Sequence, residues 1–190
     1  MKRILILILA SLLAVGAVSA QAKSGGLEPL MAPGDLAITA GIGYGFFWGA
    51  IDVSGGIELM MGKFMIGDTV PLTWGLAAKA AYFGYSYNTD YHYNYLGAGG
   101  FATLHFGLKS LNLPDGMDFL ANTDWYIGLG AGFYNYSESY YGDTSGSGFR
   151  VGFRSVGGVS YFFSPNFAIN FEGGYYGGWS GGLIGVLFKI

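Results

Sequence analysis

From residue 36 to the end of the chain, large apolar side chains recur at every second position, and the positions between them hold mainly glycine or a small polar residue. A repeat of two is the signature of a strand with unlike faces. The clearest segment runs from Phe167. There Phe167, Ile169, Phe171 and Tyr175 share one parity, while Ala168, Asn170, Glu172 and Gly174 share the other. The same split appears in seven further segments, at residues 36–46, 51–61, 72–82, 96–108, 125–133, 149–161 and 184–190. Eight strands are therefore predicted, each near the length of about 9 to 11 residues that a tilted strand needs to cross a bilayer.

Alternation alone also suits a soluble sandwich, so the chemistry of the second face decides. In a sandwich that face meets water and is rich in charge. Here only 11% of the chain is charged and there are 35 glycines, crowded onto that face with one or two charges per strand. Small residues with sparse charges suit the narrow interior of a closed barrel whose greasy face points outward into lipid. The fold class predicted is all-β, an eight-stranded antiparallel transmembrane β-barrel. Beyond residue 34 no run of 18 apolar residues offers a helical span. The abundance of aromatics excludes disorder, and glycines without a three-residue period exclude collagen. With no cysteine, disulfide scaffolds, thiolate metal sites and cysteine nucleophiles are absent.

The start of the chain reads as an address. Lys2 and Arg3 precede the apolar run 4–13 and then small residues, the order of a secretory signal peptide, with cleavage expected after Ala20 or Ala22. Three parts are expected: signal peptide 1–22, periplasmic linker 23–34 and barrel 35–190. Without the first 22 residues the chain keeps seven basic and twelve acidic residues, a formal charge of −5 that makes nucleic acid a poor partner.

If both ends of the barrel domain face the periplasm, the links at 47–50, 86–94, 135–147 and 177–180 lie outside the cell, and those at 62–71, 109–118 and 164–166 lie inside. The two long outer links are polar and rich in tyrosine. Trp48, Tyr87, Tyr91, Tyr93, Tyr140, Tyr141 and Trp179 fall at this end. A girdle at the membrane interface is the default account of such residues. Tyrosine also gives rigid contact area with a polar tip, as in binding loops, which makes Tyr87, Tyr91, Tyr93, Tyr140 and Tyr141 candidates for contact with a host or matrix surface.

The whole pattern resembles the small eight-stranded outer-membrane barrels, a group that includes OmpA-type transmembrane domains and OmpX-like and OmpW-like proteins. Residues 185–190, with Gly185, Phe188 and the terminal Ile190, resemble the last-strand insertion signal of that group, although Leu183 and Ile190 depart from its usual residues. The resemblance implies Sec export, periplasmic chaperones, insertion by the barrel assembly machinery and residence in outer-membrane lipid of a diderm bacterium. It implies no substrate and no cofactor.

Parity sends Asp52, Glu58, Lys79, His105, Asp124, Arg150, Arg154, Glu172 and Lys189 to the lumen. Near-balance of sign predicts an internal charge network, because unpaired buried charges are costly. Glu172 and Arg154, on strands joined by the short 164–166 turn, are expected to pair. The function expected is structural or surface-contacting and adhesin-like, with a narrow pore or none. The alternatives are a small channel for hydrophobic solutes or ions of the OmpW-like type and a lipid A-modifying barrel enzyme. The enzyme needs a His beside a Ser and an acid. His92 beside Asp90, with Ser86 or Ser139, is the one conceivable set, and the spacing alone makes no catalytic site. His92 with Asp90 also supplies too few ligands for a metal. Gly41-Ile42-Gly43-Tyr44-Gly45 and Gly97-Ala98-Gly99-Gly100 imitate phosphate loops but lie within strands, without the helix such a loop needs.

Overall fold

The computed structural model describes residues 29–45, 49–66, 70–87, 90–107, 109, 116–175 and 180–190. The expected signal peptide lies outside the described residues, as do residues 23–28 of the linker, Trp48 and Trp179. Eight strands follow one another as β1 (Leu36–Gly43), β2 (Ile51–Ile66), β3 (Val70–Tyr87), β4 (Tyr91–Gly107), β5 (Thr123–Tyr140), β6 (Asp143–Ser164), β7 (Phe167–Tyr175) and β8 (Ser180–Lys189), with a short 3-10 helix Asp118–Asn122 before β5. Each strand pairs with the next, and β8 pairs with β1 to close the barrel. At the seam Gly41 lies opposite Gly185, and the Leu36 and Ile190 backbones exchange both hydrogen bonds.

The faces follow the sequence parity. Ile127, Leu129 and Phe133 are exposed on β5, whereas Asp124 and Tyr126, at the alternate parity, are buried. An exposed apolar exterior with a buried polar interior is the inverse of a soluble protein and fits lipid outside. Trp74 and Trp125 mark one end of the greasy band, and the stacked Phe133–Phe149 pair marks the other. The nine-residue run from Trp125 to Phe133 falls within the length of about 9 to 11 residues that a tilted strand needs to cross a bilayer.

The inner end is closed. Met31, wholly buried, packs with Ala37, Met60, Phe162, Ala168 and Leu187. The segment expected to be a linker thus contributes the floor of the barrel, tied by Gly34 N–H to Met60 O at 2.8 Å and by Lys189 Nζ to Leu30 O at 2.6 Å.

The outer end departs from expectation in strand length. The segments 86–94 and 135–147, anticipated as loops, are mostly strand: β3 continues to Tyr87, β4 begins at Tyr91, and β5 and β6 run to Tyr140 and from Asp143. On β5 above Phe133 the outward positions are Asn135 and Ser137, while Tyr134, Tyr136 and Glu138 face inward. Past the lipid the outer face meets water, so the greasy parity disappears while the strand continues. The β5–β6 connection is a two-residue turn in which Tyr141 (φ 51) and Gly142 (φ 85) are both left-handed, the geometry that matches strand twist in a tight hairpin.

Candidate functional site

Two groups of residues stand out, one in the lumen and one above it. In the lumen, β4 brings His105 between acids from two other strands. Its Nδ1 stands 2.7 Å from Asp124 Oδ2, and its Nε2 stands 2.9 Å from Glu58 Oε1. Each acid gains a donor when the imidazole carries both protons. Thr103 Oγ1 donates to the same Glu58 oxygen, and the Tyr126 ring stacks on His105 with centroids 5.2 Å apart.

One level farther out, Lys79 forms a buried ion pair with Glu172. The Tyr126 hydroxyl donates to Glu172 Oε2 at 2.5 Å, and Asn170 accepts from Ser160 at 3.1 Å. Glu172 therefore takes its cation from β3 across the lumen, in place of the expected Arg154. The register explains this, because Glu172 lies opposite Gly158 and Arg154 is four residues farther along β6. Arg154 is buried over the Tyr134 ring at 5.4 Å and donates to Phe153 O at 2.9 Å. A cavity of about 20 Å³, bordered by Lys79, Arg154, Asn170 and Glu172, remains here, room for about one water.

The other predicted lumen residues lie apart from this network. Asp52 is buried nearer the outer end, where it accepts the Gly45 N–H at 2.9 Å. Gly43 makes this possible, since a Cβ there would fall 2.0 Å from Asp52 Oδ2. Arg150, expected in the network, is exposed above it, opposite Tyr134. Lys189 pairs with Asp35 at 3.0 Å at the end of the barrel that Met31 closes. In the terminal segment Gly185 faces Gly41, Phe188 packs on Phe167 at 5.0 Å and Ile190 is exposed.

The second group is a concave sheet above the lipid. Tyr87 on β3, Tyr91 and Tyr93 on β4, and Tyr140 on β5 all stand at lumen-facing parity, continuous with Phe83, Tyr95, Tyr134 and Tyr136. A girdle would occupy the other parity, so that account is corrected for these four. Tyr141 is the turn tip, its N–H bonded to Asp90 O at 2.6 Å and its ring edge-on to Tyr140. Edge-to-face contacts join Phe83 to Tyr93 and Tyr85 to Tyr91, and Tyr95 stacks on Tyr134. The Tyr91 hydroxyl hydrogen-bonds Glu138. Burial first, and then this carboxylate, hold Tyr91 above the ordinary phenol range. Tyr93 is raised by burial, then by Tyr134 and Glu138. Both hydroxyls therefore stay protonated donors.

On the opposite, outward parity the β3–β4 hairpin pairs Ser86 with His92, and Ser86 Oγ stands 2.9 Å from His92 Nδ1. Sequence spacing hid this contact, because six residues span a hairpin turn only if both flanking segments are strand.

A closed ring of eight antiparallel strands with a greasy exterior, a packed polar lumen and strand extensions at one end is a small transmembrane β-barrel of the outer-membrane type. The chain is similar to several solved structures. Ail, the attachment invasion locus protein of Yersinia pestis, matches over 83% of this chain and 99% of its own at 14% identity, with a TM-score of 0.52. The N-terminal β-barrel domain of Pseudomonas aeruginosa OprF matches over 83% and 98% at 18% identity and a TM-score of 0.46. The Neisserial surface protein NspA matches over 82% and 96% at 19% identity and a TM-score of 0.39. No sequence family and no curated protein matches the chain.

Proposed function

We propose that this protein is an outer-membrane surface-contact barrel, adhesin-like and without a catalytic role, whose working part is the concave tyrosine sheet of β3, β4, β5 and β6. The observation that carries the reading is the parity of that sheet: aromatic residues continue inward where no lipid demands them, while the outward face turns polar. The lumen beneath supports the same reading. Met31 and the Glu58–His105–Asp124 layer occupy it, which speaks against the alternative, a solute channel. Ail, named for attachment and invasion, is a precedent for contact by a barrel of this fold.

The test is adhesion of whole cells that display the protein. Changing Tyr87, Tyr91, Tyr93, Tyr140 and Tyr141 to Ser is expected to abolish binding to a host-cell or matrix surface while heat-modifiable gel mobility stays normal. Unchanged adhesion with normal folding would remove this sheet as the contact surface.

The Ser86–His92 contact supports a second reading, an acyl-transfer site at the outer rim. A fluorophosphonate probe then labels the protein in detergent, and Ser86→Ala and His92→Ala each lose the label. Absence of labelling in the parent protein sinks this reading.

A further inference from the structure

Glu138 sits on the tyrosine sheet in surroundings that a solvated acid does not need. It lies directly across from Tyr93 on β4 and accepts from the Tyr91 hydroxyl. Tyr136 and Tyr140, two residues to either side, share its face. On the other flank β6 places Gly146 opposite it. A Cβ at 146 would stand 3.5 Å from Glu138 Oε2, so glycine there keeps a side chain from covering the carboxylate. Among the described residues the ion pairs are made by other acids, and none joins Glu138 to a Lys or Arg.

An anion flanked by tyrosines of two strands, with glycine opposite it on a third and no ion pair to Lys or Arg among the described residues, is complementary to one chemistry. The ring quadrupoles attract a cation above their faces, and the carboxylate offers a charged acceptor to its N–H groups. Neutral sugars would use the rings but not the charge, and anionic ligands would be repelled. We infer that Glu138, Tyr91, Tyr93 and Tyr136 form a cage for a primary ammonium group, the lysine side chain of a protein partner. This rests on the surface-contact reading above and gives it a ligand chemistry. Lysine fits better than a quaternary ammonium because the hydrogen-bonding capacity of Glu138 is used only by a group that carries N–H donors.

The experiment uses the full-length protein in detergent, titrated with tetralysine and with its side-chain-acetylated form at physiological ionic strength. Tetralysine is expected to bind and the acetylated peptide is not. Glu138→Gln and Tyr93→Leu are each expected to weaken tetralysine binding by about tenfold or more. Asp143→Asn, which removes an acid from the nearby hairpin turn outside the cage, is expected to change it less than about twofold, as a screened surface charge does. Equal losses for Glu138→Gln and Asp143→Asn would show attraction to net charge alone and overturn the cage. Equal binding of the acetylated peptide, or no binding of tetralysine, would overturn it as well. Adhesion that still depends on the tyrosines in that case would leave the surface-contact reading standing without its lysine ligand.

Discussion

Replacing Lys79 with Met will destabilise the barrel by about 3–5 kcal/mol, because it removes the cation that pairs with the buried Glu172 carboxylate. The pair is nearly sealed from water, with side-chain exposures of 9% and 4%. Unfolding in urea from liposomes would measure the loss. The double variant Lys79→Met, Glu172→Gln should recover most of it, since removing both charges removes the desolvation penalty along with the attraction. The Tyr126 hydroxyl would still donate to the oxygen of the neutral amide. A single variant that costs under about 1 kcal/mol would mean that water reaches Glu172 and that the lumen is wetter than its packing implies.

The second large effect lies on the opposite face. Leu129→Arg is expected to cost about 2–4 kcal/mol of insertion free energy, the depth-dependent penalty for a cation near the bilayer midplane. Leu129 is exposed on β5 between Trp125 and Phe133. Ser137→Arg, on the same strand and the same outward parity but above the Phe133–Phe149 stack, is expected to cost about 0–1 kcal/mol. The comparison locates the membrane boundary within one strand. Equal costs at the two positions would place Ser137 in lipid and undo the description of the tyrosine sheet as lying in water. Asn170 is unsuitable for a substitution of this kind, since it accepts from Ser160 and lies near the Tyr126 hydroxyl.

Particular residues show where sequence reasoning reached and where it stopped. The parity of Phe167 through Tyr175 was legible because one strand face meets lipid and the other the lumen, so the two solvents write different residues at alternate positions. The outer halves of β3 to β6 lacked that contrast. With water on the outward side of Asn135 and Ser137, a long strand reads like a polar loop. Ser86 and His92 were visible as residue types but not as neighbours, since their contact depends on pairing across a hairpin whose existence the polar composition concealed.

The closed eight-stranded transmembrane barrel and the inward direction of Asp52, Glu58, Lys79, His105, Asp124, Arg154 and Glu172 were set by the sequence, because burial of each face depends only on alternation along a strand. Partnership inside the lumen was decided by tertiary structure alone. Which cation meets Glu172, which acids flank His105 and whether Arg150 is buried depend on strand register and on distances across the barrel. Alternation with period two carries no information about either. The same holds for Glu138: its position in the chain shows an acid among tyrosines, and only the pairing of β4, β5 and β6 sets it across from Tyr93 and Gly146.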